Sequence, residues 1–272
     1  MNWRDLTREL DQWSGKGRSA TLWWRDDDAG QRNAPLDRLL ALGRLWQVPV
    51  ALSVVPDRVA DDLPEAFSGT PARVLQHGWR HVNRAPPDAR KCELIADHIT
   101  EEALVAGRAR LAALFGSLCL PVLVPPWNRI DEALLPRLGD LGYRGLSRYK
   151  PRQAATTSGL HQVNTHVDII DWRSGRRFRG EPETLQVLVE HLQARRQSTV
   201  DPGEPTGLLT HHLDHDEACW AFIDRLFDRT RGHPAVRWLG ADEIFPADAK
   251  NRADLDNPSP RPPPRGERGR GS

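Results

Sequence analysis

The chain of 272 residues is 39% hydrophobic and 28% charged, and its formal net charge is only +1. This composition is typical of a globular protein with one large domain. The balance of charge gives no reason to expect nucleic acid or an anionic membrane as a partner, and no run of about 18 apolar residues predicts a membrane span.

Strand and helix patterns alternate along residues 20–248, after a short amphipathic lead at residues 1–19. Apolar, β-branched runs predict strands at 20–24, 48–55, 73–75, 120–124, 145–147, 207–212 and 236–239, and an extended stretch at 160–170. Amphipathic periodicity predicts a helix that begins at Pro35 and further helices at 93–115, 130–141, 185–192 and 219–227. The alternation favours a parallel α/β architecture, and seven or eight such units favour a distorted (β/α) barrel over an open sheet.

The two ends of the chain differ from this pattern. The first eight residues are charged and lack the apolar segment of a signal peptide, and the three widely spaced cysteines fit free thiols, so we expect a cytoplasmic protein. Residues 249–272 alternate proline, arginine and glycine, with no apolar residue after Leu255. This composition predicts a disordered tail.

Two histidines four residues apart, His77 and His81, follow the apolar strand at 73–75. On a helix that begins there, residues i and i+4 would share one face, and both imidazoles would reach one metal ion. A third ligand would come from the aspartates at 26–28. Two histidines and one carboxylate leave coordination positions open, which favours a catalytic over a structural metal site. A surface histidine pair and a solvated aspartate turn remain open alternatives for these residues alone.

Clusters that contain polar or aromatic residues suited to catalysis or binding follow five of the predicted strands. These clusters are 26–28, 77–81, 125–128, 168–172 and 211–212. In a barrel, the carboxyl ends of the strands converge on one face, which is where barrel enzymes place their active sites. The sequence therefore predicts one site assembled from all five clusters.

The order of the clusters resembles the polysaccharide deacetylases of the NodB-homology type, carbohydrate esterase family 4, over about residues 20–245. The run R-D-D-D-A at 25–29 is similar to the family's T-F-D-D-G motif, and H-G-W-R-H is similar to its H-[ST]-x-x-H motif. The resemblance implies a distorted (β/α) barrel, with Asp27 as general base and Asp28, His77 and His81 as metal ligands. It implies a divalent metal, most often Zn²⁺, with Co²⁺ and Ni²⁺ as alternatives.

The family's third motif, R-P-P-Y-G, is met here by V-P-P-W-N. By resemblance, Pro126, Trp127 and Asn128 face the substrate, and Trp127 offers its backbone N–H to the oxyanion. The family's arginine, which holds the base aspartate, is replaced by Val124. Either one of three arginines substitutes for it, namely Arg25, Arg129 or Arg148, or the base is tuned differently.

The fourth and fifth motifs, D-x-x-D-W and L-x-H, are met in full. The resemblance implies that Asp171 orients His211, which acts as the general acid. Trp172 would wall the substrate groove, and Leu209 would lie beside the acyl methyl group. Of the other histidines, we interpret three as supporting or surface groups near the site: His161, His166 and His212. We interpret three more as surface residues: His98, His191 and His233.

The resemblance implies a metal-dependent deacetylase that hydrolyses an N-acetyl group of a carbohydrate or of a sugar-containing metabolite. Because the substrate-facing residues depart from the family, two alternatives stay open. One is a related C–N hydrolase that acts on a small amide or ureide, and the other is a catalytically inactive carbohydrate-binding homologue. The two histidines and the carboxylate also fit a non-haem iron oxygenase, which the identity of the bound metal would distinguish.

Overall fold

The structure is a computed structural model that describes residues 1–246, and the predicted tail lies outside these residues. Its helices are α1 Trp3–Gly15, α2 Ala34–Trp46, α3 His98–Phe115, α4 Leu135–Leu138, α5 Glu181–Gln197, α6 Glu217–Arg231 and α7 Ala241–Ile244. Its strands are β1 Ala20–Ala29, β2 Val50–Val54, β3 Arg73–His77, β4 Cys119–Val124, β5 Gly145–Leu146, β6 Thr156–Thr157, β7 Leu160–Gln162, β8 Val167–Asp168, β9 Ile170–Asp171, β10 Arg177–Phe178, β11 Thr206–Thr210 and β12 Val236–Leu239. Within residues 1–246, none of the helices has the length and apolarity that crossing a membrane requires.

The main sheet is curled and almost entirely parallel. Its strands follow the order β6, β7, β5, β4, β3, β2, β1, β11 and β8, and β12 pairs with β1 beside this path. The strands β7 and β8 are consecutive in sequence, but β7 is next to one edge strand of the sheet and β8 is the other edge strand. The chain at 163–166 therefore connects the two edges of the sheet. Thr165 accepts from the Lys150 N–H, and the next residue, His166, donates its N–H to Gly207. The α/β fold is therefore the predicted distorted barrel.

The barrel interior is filled with apolar side chains and is closed at the amino ends of the strands. Trp23 is fully buried there, and its indole N–H donates to the carbonyl of Asn164 at 3.0 Å. Phe245, next to α7, packs edge-on against Trp23 with ring centroids 6.1 Å apart. This packing leaves only the carboxyl ends of the strands for a site that opens to solvent.

The amphipathic lead of the chain forms α1 and packs on α5. Leu6, Leu10 and Trp13 are buried in the same core as the outer faces of the strands. Glu9 is also buried and accepts two hydrogen bonds from Arg196, at 2.6 and 2.9 Å. A buried carboxylate needs such a partner, because an unpaired charge away from water is costly.

The bounds of several strands and helices in the structure differ from those predicted from the sequence. The strand β1 continues for five residues beyond Trp24, through the aspartates. The helix α3 begins at residue 98 rather than 93, because Asp97 caps it by accepting from the Thr100 N–H. The prediction of surface positions was wrong for His191, which is 7% exposed and stacks on His166 with ring centroids 3.7 Å apart.

The stacked pair of His166 and His191 makes the stability of the fold depend on pH. Burial and the charge of Arg195 lower the pKa of His166 to about 3, and burial and His166 lower the pKa of His191 to about 2. In the unfolded chain, a histidine titrates near pH 6.5. The stability that these neutral imidazoles contribute is therefore complete above about pH 6.5 and falls as the pH drops toward the folded values.

We expect unfolding free energy to fall by about 1 kcal/mol per pH unit for each of the two histidines between about pH 6 and 5. His191 Nδ1 lies 3.0 Å from the Thr206 hydroxyl. The variant His191→Gln removes one titrating group and keeps a polar partner for this hydroxyl, so its loss over this range should be smaller than that of the wild type. Urea unfolding at both pH values measures the difference, with His98→Gln as the control at an exposed position. An unchanged pH dependence in His191→Gln would contradict the assignment.

Candidate active site

The carboxylates of Asp27 and Asp28 reach the same end of the barrel because β1 is irregular there. The ladder between β1 and β2 shifts register between Asp26 and Ala29. Within the shift, Asp28 has a positive φ of 71°. A regular strand would point neighbouring side chains to opposite faces, and a bulge re-aims them. The two aspartates therefore line one cleft, as the sequence predicts.

The three predicted metal ligands come together at the floor of this cleft. One oxygen of Asp28 lies 3.2 Å from His77 Nε2 and 3.3 Å from His81 Nε2. The other ring nitrogen of His77 lies 3.0 Å from the carbonyl of Val124. Donation from Nδ1 to this carbonyl leaves the Nε2 lone pair free to bind a metal. The donor atoms of the three side chains thus face a common point.

Electrostatics favour metal-binding forms of two of these ligands. Burial acts to raise the pKa of Asp28, but hydrogen bonding and charge from His77 outweigh it and hold this pKa well below its usual range. Burial and the neighbouring His77 lower the pKa of His81 to about 4. Asp28 is therefore an anion and His81 a neutral imidazole near pH 7, which are the forms that ligate a cation. Burial acts to lower the pKa of His77, but the charge of Asp27 and the hydrogen bond to Asp28 outweigh it and raise this pKa, so a metal that bound at His77 Nε2 would displace a proton.

The prediction that the histidine pair lies on a helix was wrong. His77 is the last residue of β3, and residues 78–81 form a bend in which Gly78 and His81 have φ of 57° and 58°. Glu93 holds the bend, because its carboxylate accepts from the backbone N–H groups of Trp79 and Arg80 at 3.1 and 2.7 Å. The two imidazoles converge through this bend instead of through helical periodicity.

Asp27 is held by Arg25, one of the three arginines that the sequence left open. The guanidinium donates to both oxygens of Asp27, each at 2.9 Å, and both side chains are almost fully buried. The same guanidinium donates to Asn128 Oδ1 at 2.8 Å and to Ser147 Oγ at 2.7 Å. Burial acts to raise the pKa of Asp27, but the charge of Arg25, with smaller contributions from His77 and His211, lowers it below its ordinary value. Asp27 is therefore ionised near neutral pH.

The other two arginine candidates make different contacts and do not bond to Asp27. Arg148 pairs with Glu132 at 2.7 Å, and the guanidinium of Arg129 donates to the carbonyl of Lys91 at 3.2 Å. Arg25 lies on the same strand as Asp27, two residues earlier. Its guanidinium therefore makes the contact with Asp27 that the resemblance assigns to an arginine before the two prolines.

Trp127 lies beside His81, one of the predicted ligands, in a strained backbone conformation. Its φ is 54°, that of Asn128 is 56°, and its ring lies 4.4 Å from the ring of His81, measured between centroids. The hydrogen bonds of residues 1–246 leave the Trp127 N–H without an acceptor, whereas the next N–H, of Asn128, donates to Pro125. A free backbone N–H at a cleft wall is available to bind a substrate oxygen.

His211 lies at the cleft, but its predicted partner does not reach it. The carboxylate of Asp171 accepts from the backbone N–H groups of Arg173 and Ser174, at 2.9 and 3.1 Å, and closes the turn after β9. Instead, the ring of Trp172 packs edge-on against His211 with centroids 4.6 Å apart, and its indole N–H donates to Asp168 at 2.7 Å. The expectation that Asp171 orients His211 is thus not met, since its carboxylate caps a turn.

Asp26 and His212 form a buried pair behind the site. Both side chains are fully buried, and Asp26 accepts from His212 Nδ1, from the His212 N–H and from the Thr210 hydroxyl. Asp26 stands where the family that the sequence resembles has an aromatic residue, and its hydrogen bonds to His212 and Thr210 satisfy this buried carboxylate. The pair ties β1 to the end of β11, next to His211, and places His212 in the interior instead of at the surface.

The cleft has a volume of about 820 Å³. It includes the predicted residues Asp27, Asp28, His77, His81, Trp127, Asn128, Trp172 and His211. Pro126 and Leu209 are buried and are not among the lining residues, so the structure does not place them against a substrate. The lining also contains a group of cationic side chains that the sequence analysis did not single out. The high frequency of arginine at 173–179 is the sequence feature from which part of this cationic group could have been predicted.

Solved structures share this fold at low sequence identity. A protein from Mycobacterium smegmatis assigned as a polysaccharide deacetylase superposes with a TM-score of 0.62 and 15% identity, over 92% of this chain and 95% of that one. The peptidoglycan N-acetylglucosamine deacetylase Bc1960 gives 0.51 and 15%, over 87% and 96%. A mutant of BA3943, a family 4 pseudoenzyme with restored activity, gives 0.52 and 14%, over 84% and 68%. No family model matches the chain, and the search of curated proteins found no match.

Gly78 is the residue on which the ligand geometry most depends. A Cβ built on it would lie 2.2 Å from the carboxylate of Glu93 and 2.6 Å from the ring of Pro126, besides the strain of a positive φ. We expect Gly78→Ala to lower metal affinity by about tenfold or more, the effect of disturbing groups that orient ligands. Calorimetric titration with Zn²⁺ measures it.

The matched control for this variant is Gly69→Ala. Gly69 has a similar φ of 66°, but a Cβ there would meet nothing within 4 Å. It therefore reproduces the backbone strain without the collision. Equal zinc affinities for Gly78→Ala and the wild type would show that the bend does not set the ligand geometry.

Proposed function

We propose, from the premise that the chain has the polysaccharide deacetylase fold, that it is a metal-dependent hydrolase that removes an N-acetyl group from a carbohydrate or a sugar-containing metabolite. One observation carries the proposal. Asp28, His77 and His81 present their donor atoms to one point, beside a buried carboxylate, Asp27, that a guanidinium holds ionised. Amide hydrolysis needs this combination of a cation site and a base.

The donor set fits a divalent metal ion. The Nε2 atoms of His77 and His81 both lie close to one oxygen of Asp28, and two imidazoles with one carboxylate leave coordination positions open for water and substrate. Imidazole suits Zn²⁺, and also Co²⁺ and Ni²⁺. When bound, such an ion polarises the acyl oxygen and lowers the pKa of a bound water toward about 7.

The chain's own residues supply the proton transfers. Asp27 takes a proton from the attacking water, whose oxygen bonds to the acetamide carbon. The Trp127 N–H donates to the oxygen that becomes negative. His211, held by the ring of Trp172, gives a proton to the nitrogen as the C–N bond breaks, and acetate and a free amine are the products.

Two observations weigh on the alternatives. The cleft of about 820 Å³ is at the large end of small-molecule sites, which favours a saccharide over a small amide or ureide. A pseudoenzyme shares the fold, so the fold does not require activity. In this chain, however, the base position is Asp27 and the acid position is His211, and both face the cleft.

The test of the proposed function is acetate release from a panel of N-acetylated sugars by the zinc-loaded protein. Asp27→Asn should lower kcat by roughly 100- to 10,000-fold, because it removes the base, and should leave the zinc content unchanged. Asp171→Asn is the matched control and should keep activity near that of the wild type, because its carboxylate caps a turn. Near-wild-type activity in Asp27→Asn would refute the assignment of the base.

Arg25 provides a second test of the same site. We expect Arg25→Lys to lower kcat/KM by roughly 10- to 100-fold, because a lysine keeps the charge but not the two parallel hydrogen bonds to Asp27. The control is Arg148→Lys, at an exposed pair with Glu132 that lies outside the cleft lining. If Arg25→Lys matched the wild type in kcat/KM, the orientation of Asp27 would not depend on the two hydrogen bonds from the Arg25 guanidinium.

A further inference from the structure

We infer that the substrate is an anionic acetylated saccharide, whose negative charge is carried by a phosphate or carboxylate group that the cationic rim of the cleft binds. This inference rests on the proposed function and concerns the same site. The cationic rim consists of six side chains of the cleft lining: Lys91, Arg129, Lys150, Arg173, Arg176 and Arg179. Five of them are exposed, and the last is half-buried.

The carboxylates of the lining do not neutralise this rim. They are three in number, against six cations. The charge of Asp27 is balanced by Arg25, and Asp28 lies between the two predicted ligand histidines. Asp168 accepts from neutral donors, the Trp172 indole and the Ile170 N–H, so it keeps its negative charge. The six cations of the rim outnumber the remaining carboxylates, so the lining has a local excess of positive charge.

The rim residues are also unusual in lacking acidic partners. Among the described residues, only one of the six lies within ion-pair distance of a carboxylate, which is Arg176 with Asp214 at 3.1 Å. Many arginines elsewhere on the surface are paired with an aspartate or glutamate, including Arg8, Arg32, Arg38, Arg73, Arg80 and Arg84. The whole chain has a formal net charge of only +1, so the excess is local.

The rim places a cation beside an aromatic ring on each of two walls. On one wall, the guanidinium of Arg176 lies 5.2 Å from the ring of Trp172. On the other, the ammonium of Lys91 lies 5.7 Å from the ring of Trp127. Aromatic rings offer apolar faces to a sugar, and guanidinium and ammonium groups bind phosphate and carboxylate oxygens. A saccharide that carries anionic groups complements both features.

The experiment compares substrates that share the acetamide and differ in charge. The probes are N-acetylglucosamine, its 6-phosphate and N-acetylmuramic acid. We expect kcat/KM to be at least tenfold higher for one of the two anionic sugars than for the neutral one, and the advantage to shrink as salt rises from about 0.05 to 0.5 M, because exposed charges are screened. The phosphate and carboxylate probes show which anion the rim selects.

The variant for this test is the double substitution Lys150→Gln/Arg173→Gln, which removes two exposed charges from the rim. We expect it to lower kcat/KM for the preferred anionic sugar by roughly tenfold and to change kcat/KM for the neutral sugar by a much smaller factor. Arg177→Gln is the matched control, because Arg177 is an exposed arginine of the same hairpin that does not line the cleft. The inference would be overturned if kcat/KM for the neutral sugar equalled that for both anionic sugars. It would also be overturned if the double variant had the same kcat/KM for the anionic sugars as the wild type.

Binding separates the inference from the proposed function. In Asp27→Asn, the affinity for each sugar can be measured by tryptophan fluorescence without turnover, since Trp127 and Trp172 lie in the cleft. Tighter binding of an anionic sugar, with no acetate released from any sugar by the wild type, would refute the deacetylase and support the charge selectivity. Equal or weaker binding of both anionic sugars would refute the charge selectivity, whatever the activity.

Discussion

The ion pair between Arg25 and Asp27 is the interaction on which the candidate site depends. Both groups are almost fully removed from water, and two buried charges are tolerated only when they satisfy each other. Arg25 also bonds to Asn128 and Ser147, which follow β4 and β5, so one guanidinium ties the ends of three strands together. The pair thereby fixes the geometry of the barrel mouth and the ionisation of the base.

Around this pair, the site divides into a rigid floor and an exposed rim. The floor is built from strand ends and buried polar pairs, including Asp26 with His212 and the Glu93 carboxylate that holds the 78–81 bend. The rim is built from loops that carry cations, two of which, Lys91 and Arg176, lie beside tryptophans. This division suits the proposed hydrolysis at the floor, with a substrate choice made at the periphery, where exposed charges select by electrostatics.

Much of the fold and of the site floor could be predicted from the sequence. The strands that carry or precede Asp28, His77 and His211 can be predicted from apolar runs, because a parallel strand that is buried on both faces is mostly apolar. The bend at 78–81 could not be read that way, since a spacing of four residues is the same in a helix and in a loop held by a distant Glu93. The same limit applies to Asp171. The sequence matches the D-x-x-D-W motif there, but the motif does not show that the side chain caps a local turn. Long-range pairs such as Arg25 with Asn128 arise only when the barrel closes.

Elemental analysis of the purified protein shows directly whether Asp28, His77 and His81 form a metal site. We expect about one zinc, cobalt or nickel ion per chain, and loss of that ion in the double variant His77→Ala/His81→Ala. Iron in place of these metals would favour oxygenase chemistry on the same three ligands. A protein that binds no divalent metal even after reconstitution would contradict the account.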